Sequence, residues 1–152
     1  MISDIRFAVS DAIATAFTIR ESPWISDGPF RDPSVSQNGA FAVTVPRTDV
    51  VENRRARANG DGIVCKSSIR VRVLLLMRGD AAVEDYVTAL DFAAALAGVV
   101  GAVKSDAVDH SQLALQSLTY DPIGDDTAIL VTGEWTVMHQ LFVYPHDYTP
   151  PE

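Results

Sequence analysis

One cysteine, Cys65, is all the thiol in this chain, so no internal disulfide can staple it and no cysteine-based zinc site can form. Its expected place is a strand edge or the core. Histidine is nearly as scarce: His110, His139 and His146 are too scattered for a spaced metal motif, and only His139 falls on an expected strand, as a hydrogen-bonded structural ring. No uninterrupted apolar stretch reaches the ~18 residues that a spanning helix needs. The opening MISDIRFAVSDAIATAF places Asp4, Arg6 and Asp11 where a signal peptide requires an apolar run. The expectation is a soluble chain made in a cytoplasm, with no membrane partner. Basic charge is also short, with 12 Lys and Arg against 20 Asp and Glu, a formal net charge of −8. Gripping nucleic acid needs a basic footprint, so that function class is set aside. An acidic wall suits instead a conduit that DNA traverses without sticking.

The motifs of common catalysts are missing as well. There is no GxSxG, P-loop, dinucleotide fingerprint or zinc pattern. Asp121, Asp125 and Asp126 gather carboxylates that a hard cation would accept, but without the alternating ligands of a calcium loop, and a solvated hairpin tip is expected. The triplet at residues 78–80, Arg-Gly-Asp, reads as strand end, turn and helix cap. The expectation is a protein that is not an enzyme and holds no cofactor or metal.

What is present is a patterned scaffold. A chain of 152 residues with 47% apolar side chains fits one domain with a real core, here residues 1–143 followed by an extended tail over 144–152. Ser3 is a candidate N-cap for a helix over about 4–18, with Ile5, Val9, Ala12, Ile13 and Ala16 on one stripe. Residues 20–38 are rich in Ser, Pro, Asp and Gly and read as a loop over the core, with Trp24 and Phe30 available to pack. GAFAVTV, residues 39–45, reads as a strand closed by Pro46. In the strand that follows Cys65, Ile69, Val71, Val73, Leu75 and Met77 point one way. Ser68, Arg70, Arg72, Leu74, Leu76 and Arg78 point the other, on a face that starts with two arginines and ends with two leucines and part of which meets solvent or a neighbouring chain. Asp80 then caps a helix whose expected buried stripe is Val83, Tyr86, Val87, Leu90, Ala94 and Ala97, ended by Gly98 or Gly101. A final hairpin turns at the acidic IGDD, and its last strand groups Ile129, Val131, Gly133, Trp135 and Val137 on one face. The order implies an α+β two-layer sandwich: a mainly antiparallel sheet of about four strands, two helices on one face, and a long projecting loop.

That loop, residues 47–62, has few large apolar side chains and flexible Asn-Gly and Asp-Gly pairs. It reads either as a long hairpin or as a flexible arm that orders against a partner. It carries Arg47 and the cluster Arg54, Arg55 and Arg57, whose guanidinium forks can clamp oxyanions.

The opening helix, the strand GAFAVTV with its charged loop, the run SSIRVRVLLLMRGD leading into VEDYVTALDFAAALAG, and the closing strand ILVTGEWTVMH together resemble the tail terminator (tail completion, head–tail joining) proteins of long-tailed bacteriophages and related particles. The resemblance spans roughly residues 1–140 through pattern and order, and residues 21–38 and the tail after 143 depart from it. It implies a homo-oligomeric ring, of six copies, on the last ring of the tail tube protein. Such a ring ends tube polymerisation, offers a joint to the head connector or neck protein, and lets DNA through its lumen without specific binding. The location implied is the head-proximal end of the tail in the virion, and the host cytoplasm before assembly. A closing ring needs two different, complementary patches on each subunit. The candidate contact residues are Arg47, Arg54, Arg55, Arg57, Arg70 and Arg72. A neck or head–tail connector adaptor, or another small phage assembly module, is the alternative within the same class. A small-ligand-binding or enzymatic α+β domain is the alternative from another.

Overall fold

Three apolar side chains one turn apart, Ile5, Val9 and Ile13, are fully buried and fix the orientation of the first helix, α1 (Ile2–Phe17). The computed structural model describes residues 2–21, 40–53, 62–76, 82–103, 113–123 and 128–142. Because α1 begins at Ile2, Ser3 lies inside its first turn and not at the cap position. Ala16 is exposed, and Ser10 joins the buried stripe instead. The helix ends at Thr18, whose φ of 54° is left-handed and whose N–H donates to the Ala14 carbonyl at 3.1 Å. That conformation is costly for a β-branched residue. It turns the chain into a two-residue strand, β1 (Arg20–Glu21), which pairs in parallel with Ala40 and Phe41. Composition had assigned Arg20 to a loop; two residues are too short to leave a pattern.

β2 (Ala40–Asn53) and β3 (Gly62–Leu76) form a long antiparallel hairpin. The expected stop at Pro46 does not occur. A register shift between Thr44 and Arg47 takes Pro46 out of the ladder, where its missing N–H costs no hydrogen bond, and a second shift follows between Val50 and Glu52. The projecting loop expected over 47–62 is therefore strand at both ends, and Arg47 belongs to β2. Its middle, with Arg54, Arg55 and Arg57, lies outside the described residues, as do the turn at 78–80, Asp125, Asp126, His110, His146 and the segments 22–39 and 143–152.

β5 (Ala128–Phe142) pairs antiparallel with β3 along the whole length of both, and β4 (Ala114–Ile123) pairs antiparallel with the outer side of β5. The sheet order is β1-β2-β3-β5-β4, so β3 and β5 are central. Period-2 alternation puts Ile69, Val71 and Val73 on one face, directly across from Trp135, Gly133 and Val131. α1 packs on β1 and β2, and α2 (Ala82–Gly101) packs on β4 and β5. Both helices share one core with the same sheet face, giving an α+β two-layer sandwich.

One expectation of facing is corrected. The buried stripe of α2 is Ala89, Ala93, Leu96 and Val100, while Tyr86, Val87, Leu90 and Ala94 are exposed. This helix is apolar nearly all round, so periodicity alone could not orient it. Small Ala89 and Ala93 let its backbone approach the sheet, which decided the rotation. On the helix-free face, Leu74 does not reach solvent: it is 1% exposed, in register with Ala40 and Leu130, which are also buried. That end of the second face is closed to water, and the open stretch begins at Arg72.

Trp135 is the largest fully buried side chain. Its indole lies over Gly133, two residues back on the same face. A Cβ built on Gly133 would sit well inside van der Waals contact of Cζ3 and Cη2 of that ring, and 3.3 Å from Leu118 Cδ2. Glycine is therefore required here by close approach rather than by backbone torsion.

Candidate functional site

Since β1 covers only Ala40 and Phe41, the outer edge of β2 beyond them needs other partners for its backbone. Arg6, on α1, supplies one: its Nε donates to the Val43 carbonyl at 3.0 Å. Its terminal nitrogen reaches Glu21 Oε1 at 2.5 Å, and Ser10 Oγ donates to the other oxygen of Glu21 at 2.6 Å. Helix, short strand and edge are thus tied together through one guanidinium. No pattern in the sequence signalled Arg6 or Glu21, because their contact is tertiary.

Beside this anchor, Arg6, Arg70 and Arg72 line a cleft of about 450 Å³ together with Val43, Thr44, Val45 and Pro46. Among the described residues no carboxylate lines the cleft itself, and Glu21 and Glu134 bind Arg6 and Arg70 from beside it. Arg70 lies directly opposite Glu134 in the β3–β5 ladder, and its Nε and a terminal nitrogen donate to the same Oε1 at 2.7 and 2.6 Å. Both side chains are more than a third exposed, so this pair contributes at most about 1 kcal/mol and serves mainly to aim the guanidinium. Arg47 stands further along β2, exposed, with its Nε 2.8 Å from Asp49 Oδ1. The structure therefore gathers two of the candidate contact residues, Arg70 and Arg72, with the unforeseen Arg6, and leaves Arg47 apart on the same flank.

A second polar group lies inside. Ser67 Oγ, fully buried, is 2.6 Å from His139 Nε2 and 2.7 Å from Thr48 Oγ1. Cys65 is buried and pairs in register with His139. This is the hydrogen-bonded histidine expected on the last strand. A serine hydroxyl with no accessible surface presents nothing to a substrate, and the network satisfies the buried Ser67 and His139 and runs out to the exposed Thr48. Among the described residues, no three His, Cys, Asp or Glu side chains group as a metal site. No helix among them is long and apolar enough to cross a membrane.

No protein-family model matches this chain, and no curated protein does. Solved structures are similar. One of them is a chain of the virion of a native gene transfer agent particle, 19% identical over 91% of this chain and 91% of that one, with a TM-score of 0.40.

Proposed function

We propose that this protein is a structural virion component of the tail terminator kind: a ring at the head-proximal end of a long tail tube that ends tube polymerisation and forms the joint to the head connector. The observation that carries the reading is the order of elements, α1, the β2–β3 hairpin, α2, and the β4–β5 hairpin, on one sheet whose outer flank presents arginines. That order is the one by which the sequence resembles the tail terminators. The acidic balance of −8 supports a lumen that DNA passes without adhering. In this reading the protein works by assembly rather than by catalysis, and Arg54, Arg55 and Arg57 contact the tube or the connector.

Electron microscopy of particles made without this gene tests the proposal. Tubes of unregulated length lacking heads are expected of a terminator. Tails of normal length that fail to join heads would point to a connector adaptor, and intact infectious particles would overturn both.

A further inference from the structure

Every lysine and arginine of the described elements, Arg6, Arg20, Arg47, Lys66, Arg70 and Arg72, lies on α1, β1, β2 or β3. Among the described residues, the opposite flank has none. The charged residues of α2 are Glu84, Asp85 and Asp91, and that of β4 is Asp121; Asp91 and Asp121 are exposed. Among the described residues, one edge of the sheet is therefore mixed in charge with an arginine-lined cleft, and the other carries acidic charge alone. The acidic flank is also where large apolar side chains stand in solvent: Tyr86, Val87 and Leu90 on α2 and Leu115 on β4. Tyr86 meets Tyr120 edge-on with ring centres 6.4 Å apart, which joins the two elements into one surface. On the arginine flank Phe7, one residue after Arg6, is 70% exposed.

We infer that the occupant of the arginine cleft is a second copy of this chain, docking its acidic α2–β4 flank against the α1–β2–β3 flank of its neighbour. The inference rests on the ring reading above and specifies its contact. The two flanks belong to opposite edges of one sheet, so the contact is head-to-tail: each copy uses both, and the array either closes as a ring or continues as a filament. An apolar centre with a charged rim is the ordinary anatomy of a specific interface. Charge complementarity favours this pairing, because acidic flank against acidic flank is repelled, whereas the cleft gathers Arg6, Arg70 and Arg72. Carboxylates such as Asp91 and Asp121 add to Glu21 and Glu134 as oxyanions around the cleft guanidiniums, which can fork between acceptors. A free DNA strand is the disfavoured occupant in a chain of net charge −8.

A charge-swap experiment with the full chain tests this. Arg72→Glu blocks the cleft, and the pair Asp91→Lys with Asp121→Lys blocks the acidic flank. Each variant, checked for its fold by circular dichroism and thermal melting, should self-associate at least about tenfold more weakly than the parent in sedimentation velocity. Mixed together they should assemble again, because one junction carries the swapped charges and the next the original ones. The recovered oligomers should alternate in composition by native mass spectrometry. A misfolded variant cannot give rescue; should Arg72→Glu fail to fold, Arg47→Glu on the same flank, with its side chain 73% exposed, takes its place. Parent oligomers that neither reversal weakens, or variants that mixing does not rescue, would overturn this contact and leave the terminator reading to the deletion micrographs. A parent chain that stays monomeric at every concentration would overturn the contact too. Protection of the cleft by duplex DNA with no self-association would replace the inference with a nucleic-acid site.

Discussion

Replacing Gly133 with Ala should be among the most damaging single-methyl changes in this protein. The added Cβ would overlap two carbons of the Trp135 ring, which is 1% exposed and pinned within the core that both helices share with the sheet. Leu118, at 3.3 Å from the same position, blocks sideways escape. Either the indole leaves its rotamer by more than an ångström or β5 bows away from α2. Overpacking of a dense core costs about 1–3 kcal/mol, occasionally more. Truncating a core aromatic outright costs about 3–5 kcal/mol, which bounds the case where the ring is expelled. We expect about 3 kcal/mol, or a fall in Tm of roughly 6–12 °C for a domain of this size. Urea unfolding measures it, with the midpoint falling and the slope unchanged. In a Trp24→Phe background, Trp135 fluorescence should shift to the red as the ring gains water. Gly98→Ala is the control: nothing lies within 4 Å of its added Cβ, it sits inside α2, and it should stabilise by up to about 1 kcal/mol. A loss below about 0.5 kcal/mol for Gly133→Ala, the ordinary scale of surface substitutions, would refute the packing argument.

Thr18 holds a left-handed φ of 54° at the end of α1, so Thr18→Gly should raise stability by about 1 kcal/mol, read as a higher urea midpoint; no change would mean the turn relaxes at little cost. Ser67→Ala takes a partner from the buried His139 Nε2, while the exposed Thr48 can turn to water, and should cost about 1–3 kcal/mol, with Ser67→Thr failing to restore it because the extra methyl has no space at a fully buried position. Changing Arg54, Arg55 and Arg57 together to Ala should leave the melting temperature nearly unchanged while lowering the yield of joined particles in a complementation assay. A cooperative loss of folding would show instead that these arginines belong to the fold.

The parts of this fold that alternation or a narrow stripe could reveal were legible. Ile69, Val71 and Val73, and Ile129 through Val137 at every second position, face the core because a strand has only two faces and one was plainly apolar. α2 was misoriented because Ala, Leu and Val surround it, and the choice of face is made by how closely alanines let the helix lie on the sheet. Pro46 misled for a local reason: proline ends a regular ladder, but it sits comfortably in a bulge, and a bulge is visible only once the partner strand is known. The cleft was half legible. Arg70 and Arg72 stood out on an outward-facing strand pattern, whereas Arg6 is tied to Val43 and Glu21 by contacts that bring distant segments together.

The β3–β5 ladder has a consequence for how the chain is born. It joins Leu76 to Ala128 at its near end and Gly62 to Phe142 at its far end, with α2 and β4 synthesised in between. The β2–β3 and β4–β5 hairpins can each close early over short stretches, but the central seam must wait until β5 has left the ribosome. Throughout that interval β3 shows an unsatisfied edge beside its most apolar residues, the very arrangement that templates pairing with another nascent chain. Joining the hairpins should then proceed as a zipper from the Leu76–Ala128 end, where the loop to be closed is shortest. Yield of soluble protein should therefore respond to translation speed and chaperone supply while the segment from β3 to β5 is being made.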